Sequence, residues 1–525
     1  MSITTPGAEE LIAQAKTLGY DVTILVHGYA RPDRGEVMPS TYRVEGFGQS
    51  FAVREDDHET WVALASPTAH ERRLALRRRR SAPSRALDPP SVVRPLASKA
   101  AGDPSRDYAQ MASGFDLRPH EYVEEEYLFE GAATSYETPP LADGVVLSTG
   151  HPYRSRLLVR RPLDESAFNG TAIVEWLNVS AHANVDQLWW ETGERLVARG
   201  YAYVGVSAQR AGGHSPISGL RAWSPARYAS LDLTDCGLIL DDSLCYDVFS
   251  QAALAAWGEA DIKPLGDLVP KRVVAYGGSQ SQDRLVKYHN SIQPLAGAFD
   301  AFVLGIGGGA LRTDVDVKAF RVNTETDVLL TAGASRQADS DRYRNWEITG
   351  SSHLSFQMAT YRERIVARGD IAPIQFDLTD RPPLSRVPWG QPLAAAFLHV
   401  DRWLRDGVEP PRAAPIELTS IGPEGSIPAR DETGHAIGGL RLSQVAVPTA
   451  LNDGLNSGAG FSPYYGSHVP FGTETLRRLY PSHDAYVERV RVVDEGNVEA
   501  GYILEESAEE NLIEAMAFTA PWGEP

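Results

Sequence analysis

An α/β fold, with a mostly parallel twisted sheet and helices on both faces, is predicted by three features of the chain. The first is a continuous apolar run over 171–177, a helix-like stretch over 187–199 and a second apolar run over 201–207. Strand, helix and strand at that spacing make a βαβ unit, which places two strands parallel. The second is Val273-Val274-Ala275-Tyr276, which turns through Gly277-Gly278-Ser279 into helix-like 282–288. The third is the pair of later strand-like runs, 301–305 and 320–323. Open sheets of this type carry their sites at the carboxyl ends of the strands. Ser279, Gly307, Asp327 and the loop after Leu177 are therefore expected along one edge.

The elements around this unit follow in order. Residues 9–18 read as a short helix, and 21–27, 42–44 and 50–53 as strands, giving a small α+β appendage over 1–70. Val26-His27-Gly28-Tyr29 resembles a loop that could supply backbone donors to an oxyanion. A turn after a strand is the simpler reading, because a proline- and arginine-rich stretch separates it from Ser279. Arg77-Arg78-Arg79-Arg80 with its serine and proline neighbours belongs to a solvated linker, assigned to 71–116. Tyr122 to Phe129 and Tyr153 to Arg160 alternate in polarity, as antiparallel strands at a sheet margin would. The core is assigned to 117–411, with an insertion near 208–246 acting as a cap. An extension over 412–525 is expected to pack on that core.

Composition removes several classes of function. A formal net charge of −19 argues against nucleic acid and anionic membranes as partners. No run approaches the ~20 apolar residues that span a bilayer, and the first 15 residues lack the pattern of an export signal, so the cytoplasm is the expected compartment. Two cysteines, Cys236 and Cys245, are too few for a disulfide framework or a closed zinc site, and are read as free thiols.

The chemistry centres on the turn at 277–281. A strand that turns sharply through Gly-x-Ser into a helix is a nucleophile elbow. The serine points outward from a strained turn, and small residues are required two positions to either side, where strand and helix nearly touch. Gly277 satisfies that requirement; Ser281 stands where a second glycine is usual. A serine hydroxyl needs a base and an orienting acid. Asp327 ends the run Asn323-Thr324-Glu325-Thr326-Asp327, with Glu325 as the alternate acid, and His353 follows a strand-like run and a loop of small residues. His289 and His399 sit in helical patterns and read as packing residues, and His214 lies in the insertion. The oxyanion would be held by the backbone N–H of Gln280 and by one donor among Leu177, Asn178 and Val179.

Two other motifs have plainer readings. Gly305-Ile306-Gly307-Gly308-Gly309 lacks the spacing of a dinucleotide site and reads as a flexible loop beside the serine. Trp176, Trp189, Trp190 and Trp223 could line an acyl pocket, although core packing is the commoner use of such residues.

Several segments together resemble the bacterial and fungal alpha/beta hydrolase domain proteins. They are 168–180 (Phe-Asn-Gly-Thr-Ala-Ile-Val-Glu-Trp-Leu-Asn-Val-Ser), 200–210, 246–251, the 277–281 elbow, Thr324-Glu325-Thr326-Asp327, 336–347, Val469-Pro470-Phe471 and 479–483. The resemblance runs from about residue 117 to the end and leaves the first 110 residues outside. It implies an α/β-hydrolase fold with Ser279 as nucleophile and His353 as base, and it supplies no substrate. The expected reaction is hydrolysis of a carboxylic ester or lactone through an acyl-enzyme on Ser279, with a small-molecule substrate and no metal or organic cofactor. An acyltransferase with the same machinery and a non-catalytic binding protein on the same fold are the alternatives. A base that must be neutral to accept a proton makes activity rise with pH across the range in which histidines titrate.

Overall fold

The computed structural model of the protein describes residues 106–376, 378–422, 425–520 and 522, with shorter segments at 8–17, 21–26, 29–31, 36–38, 41–46, 49–54, 89–90 and 92–96. Its central sheet has nine strands: β1 (Val92–Pro95), β2 (Tyr122–Glu137), β3 (Val145–Pro162), β4 (Thr171–Trp176), β5 (Ala202–Val206), β6 (Arg272–Gly278), β7 (Ala301–Gly305), β8 (Lys318–Thr324) and β9 (Tyr343–Ile348). Their spatial order is β9-β8-β7-β6-β4-β5-β3-β2-β1. Strands β4 to β9 run parallel, whereas β1, β2 and β3 are joined to each other and to β5 by antiparallel ladders. This is the mixed, mainly parallel sheet that the sequence predicts.

The parallel strands are buried almost throughout because both of their faces are covered, and polar residues they carry, such as Glu175, Arg321 and Arg344, are buried with them. The helices that matter here are α1 (Gln187–Ala198), α2 (Cys245–Trp257), α3 (Gln280–Lys287), α4 (Glu325–Leu330), α5 (Phe356–Ala367) and α6 (Gly390–Asp406). Strand β6 shows the period of two. Val273 and Ala275 enter one core layer with Val248 and Phe249 of α2 and Leu285 of α3. Val274 and Tyr276 enter the opposite layer with Leu188 and Trp189 of α1 and Phe397 of α6. The chain places β5 on one side of β4 and β6 on the other, so the winding reverses at β4. At such a reversal the loops leaving neighbouring strands diverge and open a crevice at their carboxyl ends.

Two expectations differ from the structure. Strands β2 and β3 form a hairpin of 16 and 18 residues, about twice the length that the alternating runs suggest, and β1 pairs outside β2. Strand β1 lies within the segment read as a linker, and so does Met111, which is buried and accepts a hydrogen bond from Arg160 at 2.7 Å. Four residues are too few for a periodic signal. Residues 106–116 are held largely by polar bonds to backbone, which leave no apolar pattern. Toward the N-terminus, the helix Ala8–Thr17 and a three-stranded antiparallel sheet, Asp21–Val26, Thr41–Gly46 and Gln49–Arg54, occupy the segment read as an α+β appendage. His27, Gly28 and Arg77 to Arg80 lie outside the described residues.

Residues after 412 are joined to the main sheet. Leu440 bridges to Ile348 at the free edge of β9, its N–H donating to Glu347 O at 2.7 Å. Among the described residues, no helix is long and apolar enough to cross a membrane.

Candidate active site

Ser279 is the residue between β6 and α3, and its backbone takes φ 60° and ψ −125°. A left-handed φ is unfavourable for a residue with a Cβ and persists only where the surroundings enforce it. Here Ser279 N–H is shared between Gly305 O at 3.1 Å and Ile306 O at 3.2 Å, which ties the elbow to the loop after β7. A Cβ on Gly277 would stand 2.8 Å from the carbonyl oxygen of Ser281, so only glycine fits there. Ser281 is no defect in the motif. Its Oγ donates to Gly278 O at 2.8 Å and accepts from Gly278 N–H at 3.1 Å, bracing the turn.

His353 comes to the same point from the loop after β9. Its Nε2 lies 2.9 Å from Ser279 Oγ and its Nδ1 lies 2.8 Å from Asp327 Oδ1. Three residues from separate segments (the elbow, the first turn of α4 and the loop after β9), 74 positions apart at their extremes, thus form one hydrogen-bonded chain. With Asp327 ionised, Nδ1 donates to the carboxylate and Nε2 is left to accept the serine proton. Thr324 caps α4 by accepting from Asp327 N–H, and its hydroxyl donates to Asp327 Oδ2. The acid therefore has both oxygens engaged and one orientation. Thr326 accepts from His353 N–H at 3.1 Å and donates to Gly454 O, joining the acid loop, the histidine loop and the C-terminal segment.

Glu325, the alternate acid, faces away from the imidazole. It is fully buried and accepts from Gly350 N–H at 2.6 Å, bracing the loop that carries His353 from behind. Burial, and then the neighbouring Asp453 carboxylate, push its carboxyl up to about 7.

Gln280 begins α3, where helical N–H groups have no partner within the helix. Its side chain donates to Gln209 Oε1 at 3.0 Å, and Trp176 Nε1 donates to the same oxygen at 3.0 Å. Gln209 in turn donates to Asp242, which also accepts from Arg284 of α3. Gln209 and Asp242, near the two ends of the segment 208–246, are thereby fastened to the elbow. In the loop after β4, Leu177 N–H donates to Val206 O at 3.3 Å and Asn178 N–H to Val185 O at 2.9 Å. The side-chain amide of Asn178 holds Gly278 O at 3.1 Å. Val179 follows directly, and is buried.

The glycine-rich loop lies beside the serine, as expected, but it is pinned: Gly307 N–H donates to Asn323 Oδ1 at 2.9 Å, and Gln282 donates to Gly308 O at 2.8 Å. Of the four tryptophans, Trp176, Trp189 and Trp190 are core residues, and Trp223 packs at 5.4 Å against Tyr108. His289 packs on Phe302, and His399 bonds to Gly501 O. His214 bonds within the insertion to Arg221 and Leu233. Cys236 is exposed, Cys245 buried, and neither is bridged.

Two further features are not legible in the sequence. Tyr464, from the C-terminal segment, stands edge-on to His353 with ring centroids 5.1 Å apart. A second serine–histidine–aspartate chain also exists: Ser148 Oγ lies 2.6 Å from His151 Nε2, and His151 Nδ1 lies 3.1 Å from Asp235 Oδ2. All three of its residues are buried, with Ser148 at 7% and His151 at 1% exposure, and Ser148 sits inside β3 and not before a helix. Burial closes it to a substrate, and it fastens the insertion to the hairpin. Neither feature follows a motif, since each depends on segments brought together only by the fold.

A family model described as an alpha/beta hydrolase domain matches residues 92–513. No curated protein matches the chain. Among solved structures, a lidless a/b serine hydrolase, XC6422 from Xanthomonas campestris, aligns at 13% identity and TM-score 0.26, covering 45% of this chain and 90% of its own. The dienelactone hydrolase-like promiscuous phosphotriesterase P91 from metagenomic libraries aligns at 15% identity and TM-score 0.25, with coverage of 46% and 96%. The rice cell wall degrading esterase LipA from Xanthomonas oryzae aligns at 15% and 0.23, with coverage of 42% and 50%. Scores this low carry no argument about activity. The family match spans most of the chain, including β1, the elbow and the C-terminal segment beside His353, and the chain belongs to the alpha/beta hydrolase domain family.

Proposed function

We propose that the protein is a serine hydrolase that cleaves carboxylic esters or lactones through an acyl-enzyme on Ser279. The observation that carries this reading is the chain Ser279 Oγ–His353 Nε2 at 2.9 Å and His353 Nδ1–Asp327 at 2.8 Å, built on a left-handed serine at a strand-to-helix turn. His353 takes the serine proton as Oγ attacks the substrate carbonyl, and Asp327 stabilises the imidazolium that forms. The proton then passes to the departing alcohol oxygen. A water molecule, deprotonated by the same imidazole, releases the acid and restores the serine. The oxyanion is held by the N–H groups of Gln280 and Val179. Val179 is preferred over its neighbours because the N–H groups of Leu177 and Asn178 are already bonded to Val206 and Val185. Asn178 instead positions the turn through Gly278 O. The 208–246 insertion caps the site through the Gln209–Gln280 and Asp242–Arg284 bonds.

Hydrolysis of p-nitrophenyl esters of increasing acyl length, followed for the wild type, Ser279→Ala and His353→Gln, tests the proposal. Turnover in the wild type that is lost in both variants supports it. Turnover that survives Ser279→Ala removes Ser279 from the mechanism. Carrying out the reaction with added alcohol distinguishes transfer to water from transfer to another acceptor.

A further inference from the structure

His353 supplies the proton to the leaving oxygen, so the alcohol portion of an ester must depart past the imidazole, on the side away from the oxyanion donors. Tyr464, from a loop of the C-terminal segment, packs edge-on against that imidazole. Tyr464 is half-buried beside His353, and Phe461 stands 5.9 Å from Tyr464 with 66% of its surface exposed. Leu378, 47% exposed, lies against the same loop, its carbonyl accepting from Ala459 N–H at 3.1 Å and from Ser462 Oγ at 3.1 Å. The rings of His353, Tyr464 and Phe461 thus touch in succession, and the last of them is exposed to solvent.

A single exposed aromatic side chain is ordinary on a protein surface. This one is carried on a loop that is fastened at every turn. Ser462 is fully buried, and Asn456 donates to Arg381 O at 3.0 Å and Gly466 O at 2.7 Å. Leu354, next to His353, donates its N–H to Tyr464 O at 3.1 Å. Gly458 takes φ 132°, and a Cβ there would stand 2.0 Å from Leu378 O. These bonds anchor the loop that presents the apolar ring of Phe461 to water beside the site. A ligand that covers it gains apolar contact without having to order the loop backbone first.

We propose that Phe461 and Tyr464 seat the alcohol portion of the substrate, and that this portion is an apolar, ring-bearing group. The assignment rests on the nucleophile and base proposed above. Benzyl and methyl esters of one acid have leaving alcohols of similar acidity, so the ratio of their kcat/KM values reads contacts to the alcohol and not intrinsic reactivity.

The wild-type chain is expected to favour the benzyl ester. Phe461→Ala is expected to reduce the benzyl-to-methyl ratio by about tenfold, mainly through KM, and Phe461→Trp to retain it. Ile421→Ala, a similarly exposed apolar side chain on a separate hairpin, is the control. An unchanged ratio in Phe461→Ala, in a protein whose Ser279 still reacts with a fluorophosphonate, overturns the seat and leaves the nucleophile standing. A change that appears only when the acyl group is varied also overturns it. A wild-type chain inert to both esters and to the fluorophosphonate overturns both readings.

Discussion

At the scale of single residues, the acid shows what separates a motif from a site. Glu325 and Asp327 are two positions apart, and on a helix that separation turns a side chain by about 200°, so they face opposite ways once the helix starts at Thr324. The sequence brings both to the right place along the chain. Only the cap, with Thr324 holding Asp327 from the other side, says which one meets His353. Asp327→Asn is expected to lower kcat by about 10³–10⁴-fold, because an amide no longer fixes the imidazole in the tautomer that can accept a proton. Glu325→Gln keeps an acceptor for Gly350 N–H and is expected to cost less than about tenfold. Steady-state kinetics of the two variants on one ester checks the assignment; a reversed order transfers the role to Glu325.

At the scale of elements, the elbow is legible because its constraint is steric and local. Gly277→Ala pushes a methyl group to 2.8 Å from a backbone oxygen, and is expected to destabilise the fold by about 1–3 kcal/mol, read as a shift in the urea midpoint. The β2–β3 hairpin is not legible in this way. Its acidic and basic residues look like those of a solvated margin, yet Arg156 and Arg160 are fully buried. Arg160 is joined to Glu124 at 2.7 Å and Asp186 at 2.6 Å, and Arg156 to Glu126 at 2.9 Å. Such pairs become visible only with the register. Arg160→Met leaves the buried Asp186 carboxylate and the half-buried Glu124 carboxylate without their cation and is expected to cost about 3–5 kcal/mol. A loss of under about 1 kcal/mol in urea unfolding marks the network as replaceable, as well-packed apolar substitutes for buried ion pairs sometimes are.

At the scale of the whole molecule, apolar periodicity is enough to read the parallel part of the sheet, and the order serine, acid, histidine picks out three residues that the fold brings within hydrogen-bond distance. The part played by the C-terminal segment was not readable, because Tyr464 and Gly454 reach the site from more than a hundred residues downstream of His353. Buried carboxyls also give the molecule a pH dependence separate from catalysis. Burial pushes Glu175 up to about 8 and Glu191 up to about 7. The folded protein then holds those protons more tightly than the unfolded chain, whose glutamates titrate near ~4.3. The resulting stability is complete below that value and is lost as pH rises through about 7 to 8. Glu191→Gln has no proton to lose, so its unfolding free energy is expected to fall less than that of the wild type between about pH 5 and pH 8. An identical fall in both proteins excludes Glu191 as a contributor.

Ser279, and not the buried Ser148 with its own histidine and aspartate, is the proposed nucleophile. Mass spectrometry of peptides from fluorophosphonate-treated full-length protein tests it most directly. One adduct is expected, on the peptide bearing Ser279, abolished by Ser279→Ala and untouched by Ser148→Ala. An adduct on Ser148, or labelling that persists in Ser279→Ala, contradicts it.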